Sequence, residues 1–146
     1  MKNVVSNIDM GYSIPNLKKL ANTIAHIFNI ESEIFIMPLR VKKLDENAYV
    51  VSSINSFIIY VNELYLRKDK VSDFVIRMFI HEMWHVKQMI DKRLLFNSEH
   101  TKAYWNGNEY TSDLSHGDRE WEVEAKQAEQ KYFKQIKQLF YDNKEN

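Results

Sequence analysis

Two histidines and a glutamate fall within five consecutive residues, in the segment His81-Glu82-Met83-Trp84-His85. Residues four apart on a helix lie one turn apart on the same face, so both imidazoles can reach a single metal ion. Glu82 lies on the adjoining part of that face, where its carboxylate can take a proton from a water activated by the ion. The spacing therefore predicts a zinc hydrolase site, with His81 and His85 as ligands and Glu82 as general base.

The motif lies in a segment that is predicted to form a buried helix from about 72 to 93. Ser72 is a suitable N-cap, and Asp73 is favourable in the first turn. Apolar residues surround most of this helix and leave only a narrow polar stripe of Arg77, Lys87 and Asp91. The three polar side chains of the motif therefore need partners, which favours a metal site over a helical packing module without metal.

A catalytic zinc ion usually has three protein ligands and one open position, so a third ligand must come from elsewhere in the chain. A helix predicted from about 118 to 141 carries several acidic residues. Glu124 is our choice because it lies three and four residues from Trp121 and Ala128, on the apolar stripe of that helix. Glu122 points nearer the solvated side and is the first alternative. The further alternatives are Glu120, Asp118, Asp113 and His116.

The remaining segments predict a small α+β fold. A helix is expected over 15–29, and strands over 33–41, 48–54 and 57–61 form a short antiparallel sheet in the simplest interpretation. The strand at 55–62 could be an edge that binds an extended peptide, although an ordinary core strand is the alternative. Residues 94–117 are rich in turn residues and are expected to be irregular. They contain our candidates for stabilising an oxyanion, which are His116, Tyr110 and Tyr104.

The motif together with a downstream glutamate on a second helix resembles the gluzincin side of the zincin metallopeptidases. It looks most like the short, single-domain zincin-like proteins of bacteria and phages. The segments Trp105-Asn106-Gly107 and 121–125 are similar to that group's pattern, whereas Arg119-Glu120 stands where the group often has Arg-Pro. The metzincin class is rejected because Gln88 and Asp91 replace its Gly and His. The resemblance implies a small antiparallel or mixed sheet beside the active-site helix, with the metal held between two helices.

Composition restricts the classes of function. The chain has 146 residues, which suits a single domain, 1–146, and its 20 basic and 20 acidic residues give no net charge. We therefore expect no nucleic-acid or anionic-membrane partner. With no cysteine, any metal must be held by His, Asp or Glu. The sequence shows no apolar signal segment or membrane span, so a cytoplasmic protein is expected.

These observations predict zinc-dependent hydrolysis of a peptide or protein substrate, with Glu82 as general base and a site of His81, His85 and Glu124. The alternative is a metal-binding regulatory or interaction protein on the zincin scaffold, with little or no peptidase activity. Glu82 argues against that alternative, because a structural zinc site fills its fourth position with protein and needs no base. The sequence leaves the oligomeric state undetermined.

Overall fold

A computed structural model describes residues 4–7, 15–39, 47–66, 71–99, 101–111 and 119–142 of the chain. This part has a mixed α+β fold with two small sheets and four helices. In chain order the elements are β1 (Val5–Asn7), α1 (Pro15–Phe28), β2 (Glu33–Leu39), β3 (Ala48–Ser53), β4 (Ser56–Asn62), α2 (Glu63–Leu66), α3 (Asp73–Ile90), β5 (Leu94–Phe96), β6 (Lys102–Trp105), β7 (Asn108–Thr111) and α4 (Glu120–Asp142).

The larger sheet has the strand order β1-β2-β4-β3 and is mixed. Strands β1, β2 and β4 run parallel, and only β3 is antiparallel to its neighbour. The simplest interpretation, a short antiparallel sheet, is therefore wrong, because β2 pairs with β4 rather than with β3, which follows it in the chain. The mixed sheet that the resemblance also allowed is the one observed. Strand β4 lies inside the sheet, so the prediction that it is a peptide-binding edge is also wrong. Among the described strands, β3 lies outside β4 and forms the edge on that side of the sheet.

Alternating residues of the two central strands form the inner face of this sheet. Ile34 and Ile36 of β2, with Ile59 and Val61 of β4, are almost fully buried. They share one core with apolar residues of α1, α3 and α4. The alternation follows from strand geometry, which turns every second side chain to the same face. The predicted strand at 33–41 is confirmed over Glu33–Leu39, whereas residues 40 and 41 lie outside the described part.

The three long helices were predicted well because each carries an apolar stripe at helical spacing. Helix α3 begins after Ser72, whose hydroxyl accepts a hydrogen bond from the amide of Val75 at 3.2 Å, as expected of an N-cap. Helix α1 ends at Phe28, one residue before the predicted end. Helix α4 begins at Glu120. The proposed N-cap Asp118 lies outside the described residues.

The prediction that residues 94–117 are irregular is wrong for 94–99 and 101–111, whereas residues 100 and 112–117 lie outside the described part. Strands β5, β6 and β7 form a second, antiparallel sheet. Its tight turn is made by Asn106 and Gly107, which both have positive φ, as a two-residue hairpin turn requires. Trp105 and Leu94 from this sheet pack with Trp121 of α4 in a small second core. Met89, in the last turn of α3, packs against the same core, so the sheet also contacts the end of α3 that carries His85.

None of the helices within the described ranges is both long enough and apolar enough to span a membrane.

Candidate metal centre

Helices α3 and α4 lie side by side and run in opposite directions. At one end Lys137 of α4 pairs with Asp73 of α3 at 3.0 Å. At the other end the amide nitrogen of Gln88 donates to the carbonyl of Trp121 at 3.1 Å. These contacts fix the register of the two antiparallel helices along their axes. They place the motif of α3 opposite the first three turns of α4.

Two imidazoles and one carboxylate oxygen converge between these helices. His81 Nε2 lies 2.8 Å from Glu122 Oε1, and His85 Nε2 lies 2.9 Å from the same oxygen. The two rings are nearly perpendicular, at 85°, with centroids 4.8 Å apart. One ligand atom from each residue falls within 4.8 Å of the other two, so the three side chains form a group that could hold a metal ion.

The donor set fits zinc. Two imidazole nitrogens and one carboxylate oxygen are a ligand combination of catalytic zinc sites, which bind the ion at about 2.0–2.2 Å. In a tetrahedron of those bond lengths, neighbouring ligand atoms are about 3.3 Å apart. The nitrogens of His81 and His85 lie within 2.9 Å of the Glu122 oxygen, so a separation of roughly half an ångström would open the site for the ion.

The second nitrogen of each imidazole also has a hydrogen-bond partner. His81 Nδ1 lies 2.7 Å from Glu129 Oε2, and His85 Nδ1 lies 2.8 Å from Gln88 Oε1. Both partner atoms are acceptors, so each Nδ1 carries the proton. A neutral imidazole protonated on Nδ1 leaves its Nε2 lone pair for a metal, which is the usual role of such outer partners.

Glu124, our predicted third ligand, lies elsewhere. One of its oxygens accepts hydrogen bonds from Trp84 Nε1 at 2.8 Å and Arg93 Nη1 at 2.9 Å, with Gln88 Nε2 at 3.3 Å. The residue that meets the histidines is Glu122. Its placement on the solvated side was wrong, because only 9% of its surface is exposed. Glu122 and Glu124 lie on opposite sides of the apolar stripe of α4. The candidate metal-binding group of His81, His85 and Glu122 lies on the side that carries Glu122.

The other candidates for third ligand do not join this group in the described structure. Glu120 is exposed at the start of α4. Asp113, His116 and Asp118 lie outside the described residues. Glu129, which contacts His81 and was not among the predicted site residues, was missed. Its spacing of seven residues from Glu122 was the available signal, because two helical turns return to the same face.

Burial and hydrogen bonding alter the charges of the cluster. Burial lowers the pKa of His81, but its hydrogen bonds to Glu122 and Glu129 outweigh that effect and raise the pKa to about 9. For His85, burial likewise lowers the pKa, and the hydrogen bond to Glu122 turns the net shift upward. Burial raises the pKa of Glu122, but the two imidazoles hold it well below its usual range. Without metal, the cluster is a compact set of ion pairs.

Glu82 lies at the edge of this cluster, and 8% of its surface is exposed. Burial is the main reason that its pKa rises to about 7, and the neighbouring His85 and His81 oppose the rise. No described side chain forms a hydrogen bond with its carboxylate. Glu82 lines the same cleft as the histidines. Glu82 is therefore the acidic group of the cluster that is not engaged by an imidazole nitrogen.

The cluster opens into a cleft of about 840 Å³ between α3, α4 and the edge strand β3. One wall is formed by the first half of β3 and the residue before it: Asn47, Ala48, Tyr49 and Val50. Other walls contain Phe74, Arg77, Met78, Met89, Leu94, Phe96, Trp121, Lys126 and Gln130. A substrate in this cleft would therefore lie between strand β3, which pairs only with β4 among the described strands, and the two helices that carry the candidate ligands.

Two of the predicted oxyanion stabilisers do not line this cleft. Tyr110 packs edge-on against Trp121, with ring centroids 5.5 Å apart. The hydroxyl of Tyr104 lies 3.4 Å from Glu109 in the second sheet. The third candidate, His116, lies outside the described residues. Asn47, just before β3, lines the cleft instead, and it was not predicted because nothing in the local pattern placed this segment beside α3.

Comparison of the chain with protein-family models, with curated proteins and with solved structures finds no match. The functional interpretation therefore depends on the chemistry of the site itself.

Proposed function

We propose that this chain is a zinc-dependent peptidase, in which His81, His85 and Glu122 hold the ion and Glu82 is the general base. The observation that carries the proposal is the meeting of both Nε2 atoms with one oxygen of Glu122, at 2.8 and 2.9 Å, beside Glu82 in an open cleft. A structural zinc site has four protein ligands, whereas three ligands leave a position for water or substrate.

A zinc ion bound here would polarise a substrate carbonyl and lower the pKa of a bound water to about 7. Glu82 follows His81 directly on α3 and faces the same cleft, so its carboxylate accepts the proton of the attacking water. The carboxylic acid that results then donates that proton to the leaving amine. Glu129 and Gln88 keep the two imidazoles oriented throughout, because each accepts a hydrogen bond from the Nδ1 atom of its ring.

The edge strand β3 supports a peptide as the substrate. An unpaired strand edge can bind an extended peptide through backbone hydrogen bonds. At the start of this strand, the hydroxyl of Tyr65 donates to Asn47 Oδ1 at 2.9 Å, which orients the amide. The amide nitrogen of Asn47 is then the donor that remains for a substrate carbonyl. A peptide on β3 would have its backbone between this donor and the motif of α3.

The test is the substitution Glu82→Gln, which removes the base and keeps the size of the side chain. We expect the variant to bind one zinc ion per chain, as the unchanged protein does, while hydrolysis of a peptide library falls by at least about 100-fold. Glu120→Gln makes the same chemical change on an exposed residue outside the cleft and should leave both quantities unchanged.

Zinc content is measured by elemental analysis of the purified proteins, with His81→Ala as the variant that should lose the metal. If Glu82→Gln hydrolyses peptides as fast as the unchanged protein, Glu82 is not the base. If the unchanged protein binds zinc but cleaves no peptide of the library, a metal-binding regulatory role replaces the peptidase. Equal, negligible zinc in the unchanged protein and in His81→Ala would refute the metal centre itself.

A further inference from the structure

The cleft beside the candidate metal ligands contains charged side chains that the proposed chemistry does not use. Its acidic residues are Glu82, Glu122 and Glu129. Glu122 and Glu129 are bound to imidazole nitrogens, and Glu82 lies in the field of both rings. These carboxylates therefore have their positive counterparts within the site. The described lining also contains two cationic side chains, Arg77 and Lys126, and neither forms an ion pair with a described carboxylate.

Arg77 lies on α3 one turn before His81, and its side chain is half-buried. Its guanidinium carbon is 3.8 Å from the ring centroid of Phe133, so the side chain rests on an aromatic face of α4. It forms no ion pair with any carboxylate in the described ranges. A ring contact holds the guanidinium plane but satisfies none of its five N–H donors. The N–H donors of this guanidinium are therefore available to a ligand in the cleft.

Lys126 lies on α4 one turn after Glu122 and lines the same cleft. It too is without an ion-pair partner in the part of the chain that the structure describes. The two cations therefore belong to different helices on either side of the cleft, each one turn away from a proposed metal ligand. Their combined charge faces the space that a substrate would fill.

We propose that Arg77 and Lys126 bind a carboxylate of the substrate, so that the cleft selects acidic peptides. This inference rests on the proposed peptidase function and specifies its substrate class. One helical turn is about 5.4 Å, and one residue of extended peptide is about 3.3 Å. The carboxylate bound by Arg77 therefore lies one or two residues from the scissile bond. It belongs either to an aspartate or glutamate side chain or to the C-terminus of the peptide.

The test measures binding rather than cleavage, so that it does not depend on catalysis. Three acetylated peptides serve as probes. Phe-Ala-Asp-Ala-Phe amide carries an acidic side chain, and Phe-Ala-Asn-Ala-Phe amide is its neutral counterpart. The third probe is Phe-Ala-Asn-Ala-Phe with a free C-terminal carboxylate. Calorimetric titrations use two forms of the protein, the metal-free unchanged chain and zinc-loaded Glu82→Gln. We expect one of the two acidic peptides to bind about three- to tenfold more tightly than the neutral one, as two partly exposed charge pairs allow.

The variants identify the residues responsible. Arg77→Gln and Lys126→Gln should each reduce the preference, and the double variant should abolish it. Arg77→Lys keeps the charge and should retain part of it. Lys134→Gln is the matched control, because Lys134 is an exposed lysine two turns after Lys126 on the same helix and does not line the cleft. The preference should also weaken at high salt, since exposed charges are screened.

The two acidic probes separate the two sources of the carboxylate. Tighter binding of the aspartate peptide assigns the site to an acidic side chain, and tighter binding of the free acid assigns it to the C-terminus. Equal binding of all three peptides, or no binding of any at millimolar concentration, would overturn the inference. An equal loss of preference in Lys134→Gln would do the same. A preference found in a protein that cleaves nothing would leave this inference standing while the peptidase proposal fails.

Discussion

Glu122 and Glu124 lie two residues apart on α4, and replacing each with glutamine should have very different effects on zinc affinity. In Glu122→Gln the proposed third ligand becomes a neutral amide. Structural zinc sites with four ligands bind with roughly 10–16 kcal/mol, or about 3 kcal/mol per ligand. Loss of one ligand should therefore weaken zinc binding by about 100- to 1,000-fold. We expect Glu122→Gln to remain folded and to lose most of its affinity for zinc.

Glu124→Gln should weaken zinc binding by less than about tenfold. Its carboxylate touches the site only through Gln88, whose amide nitrogen lies 3.3 Å away. The main loss is the ion pair with Arg93, whose side chains are 36% and 26% exposed, so solvent screens it. The glutamine oxygen can still accept the hydrogen bond of Trp84. We therefore expect the free energy of unfolding to fall by about 1 kcal/mol in this variant.

Competition with a chromophoric zinc chelator at neutral pH measures the affinity, and denaturant unfolding of the metal-free proteins measures stability. Circular dichroism establishes that each variant is folded before its affinity is compared. The opposite pattern would refute the assignment. Suppose that the zinc affinity of Glu124→Gln fell 100-fold or more while Glu122→Gln bound zinc normally. Glu124 would then be the ligand, and the helices would have to pair differently around the ion.

Three further predictions follow from the same geometry. Glu129→Ala removes the acceptor on His81 Nδ1, and we expect zinc affinity to fall about 10- to 100-fold in the same competition assay, while unaltered affinity would exclude an orienting role. Because the pKa of His81 is raised to about 9 without metal, zinc must displace its proton at neutral pH. Affinity should then fall roughly tenfold per unit as the pH is lowered below 9, and a flat profile in buffered titrations would contradict this. In Gly107→Ala the added Cβ meets no atom within 4 Å, but the residue must keep a φ of +85°. We therefore expect the free energy of unfolding to fall by about 1 kcal/mol, measured as a melting temperature lowered by roughly 3 °C.

The helices, and the placement of His81 and His85 on one face of α3, could be predicted from the sequence because their signals are local. Four residues separate His81 from His85, and that distance alone places both rings on one face of a helix. The pairing of β2 with β4 could not be predicted in the same way. A parallel partner is distant in the chain, and the turn at Ile54 and Asn55 indicates only that β3 and β4 form a hairpin.

The second sheet was missed because its strands are only three or four residues long. Alternation over so few residues resembles an irregular segment, and turn residues between the strands strengthen that impression. The informative signal was Asn106-Gly107, the residue pair that favours a two-residue hairpin turn. Interpreted as a hairpin rather than as a loop, it would have predicted β6 and β7 on either side.

The choice between Glu122 and Glu124 shows where sequence periodicity stops being informative. With about 100° per residue, the buried stripe of α4 is centred near Ala125 and Ala128, and the two glutamates lie on opposite sides of it, each about 80° from its centre. Periodicity is symmetrical between these positions, so it cannot say which flank faces α3. The packing of α4 decides it: the flank with Glu122 and Glu129 meets the histidines, and the flank with Glu124 meets Arg93. Glu129 repeats the position of Glu122 two turns later, whereas no acidic residue repeats Glu124 in that way, because position 131 is a lysine. The second carboxylate on that flank accepts the hydrogen bond of His81 Nδ1, as an imidazole that binds a metal through Nε2 requires, whereas His85 Nδ1 donates to Gln88 of its own helix.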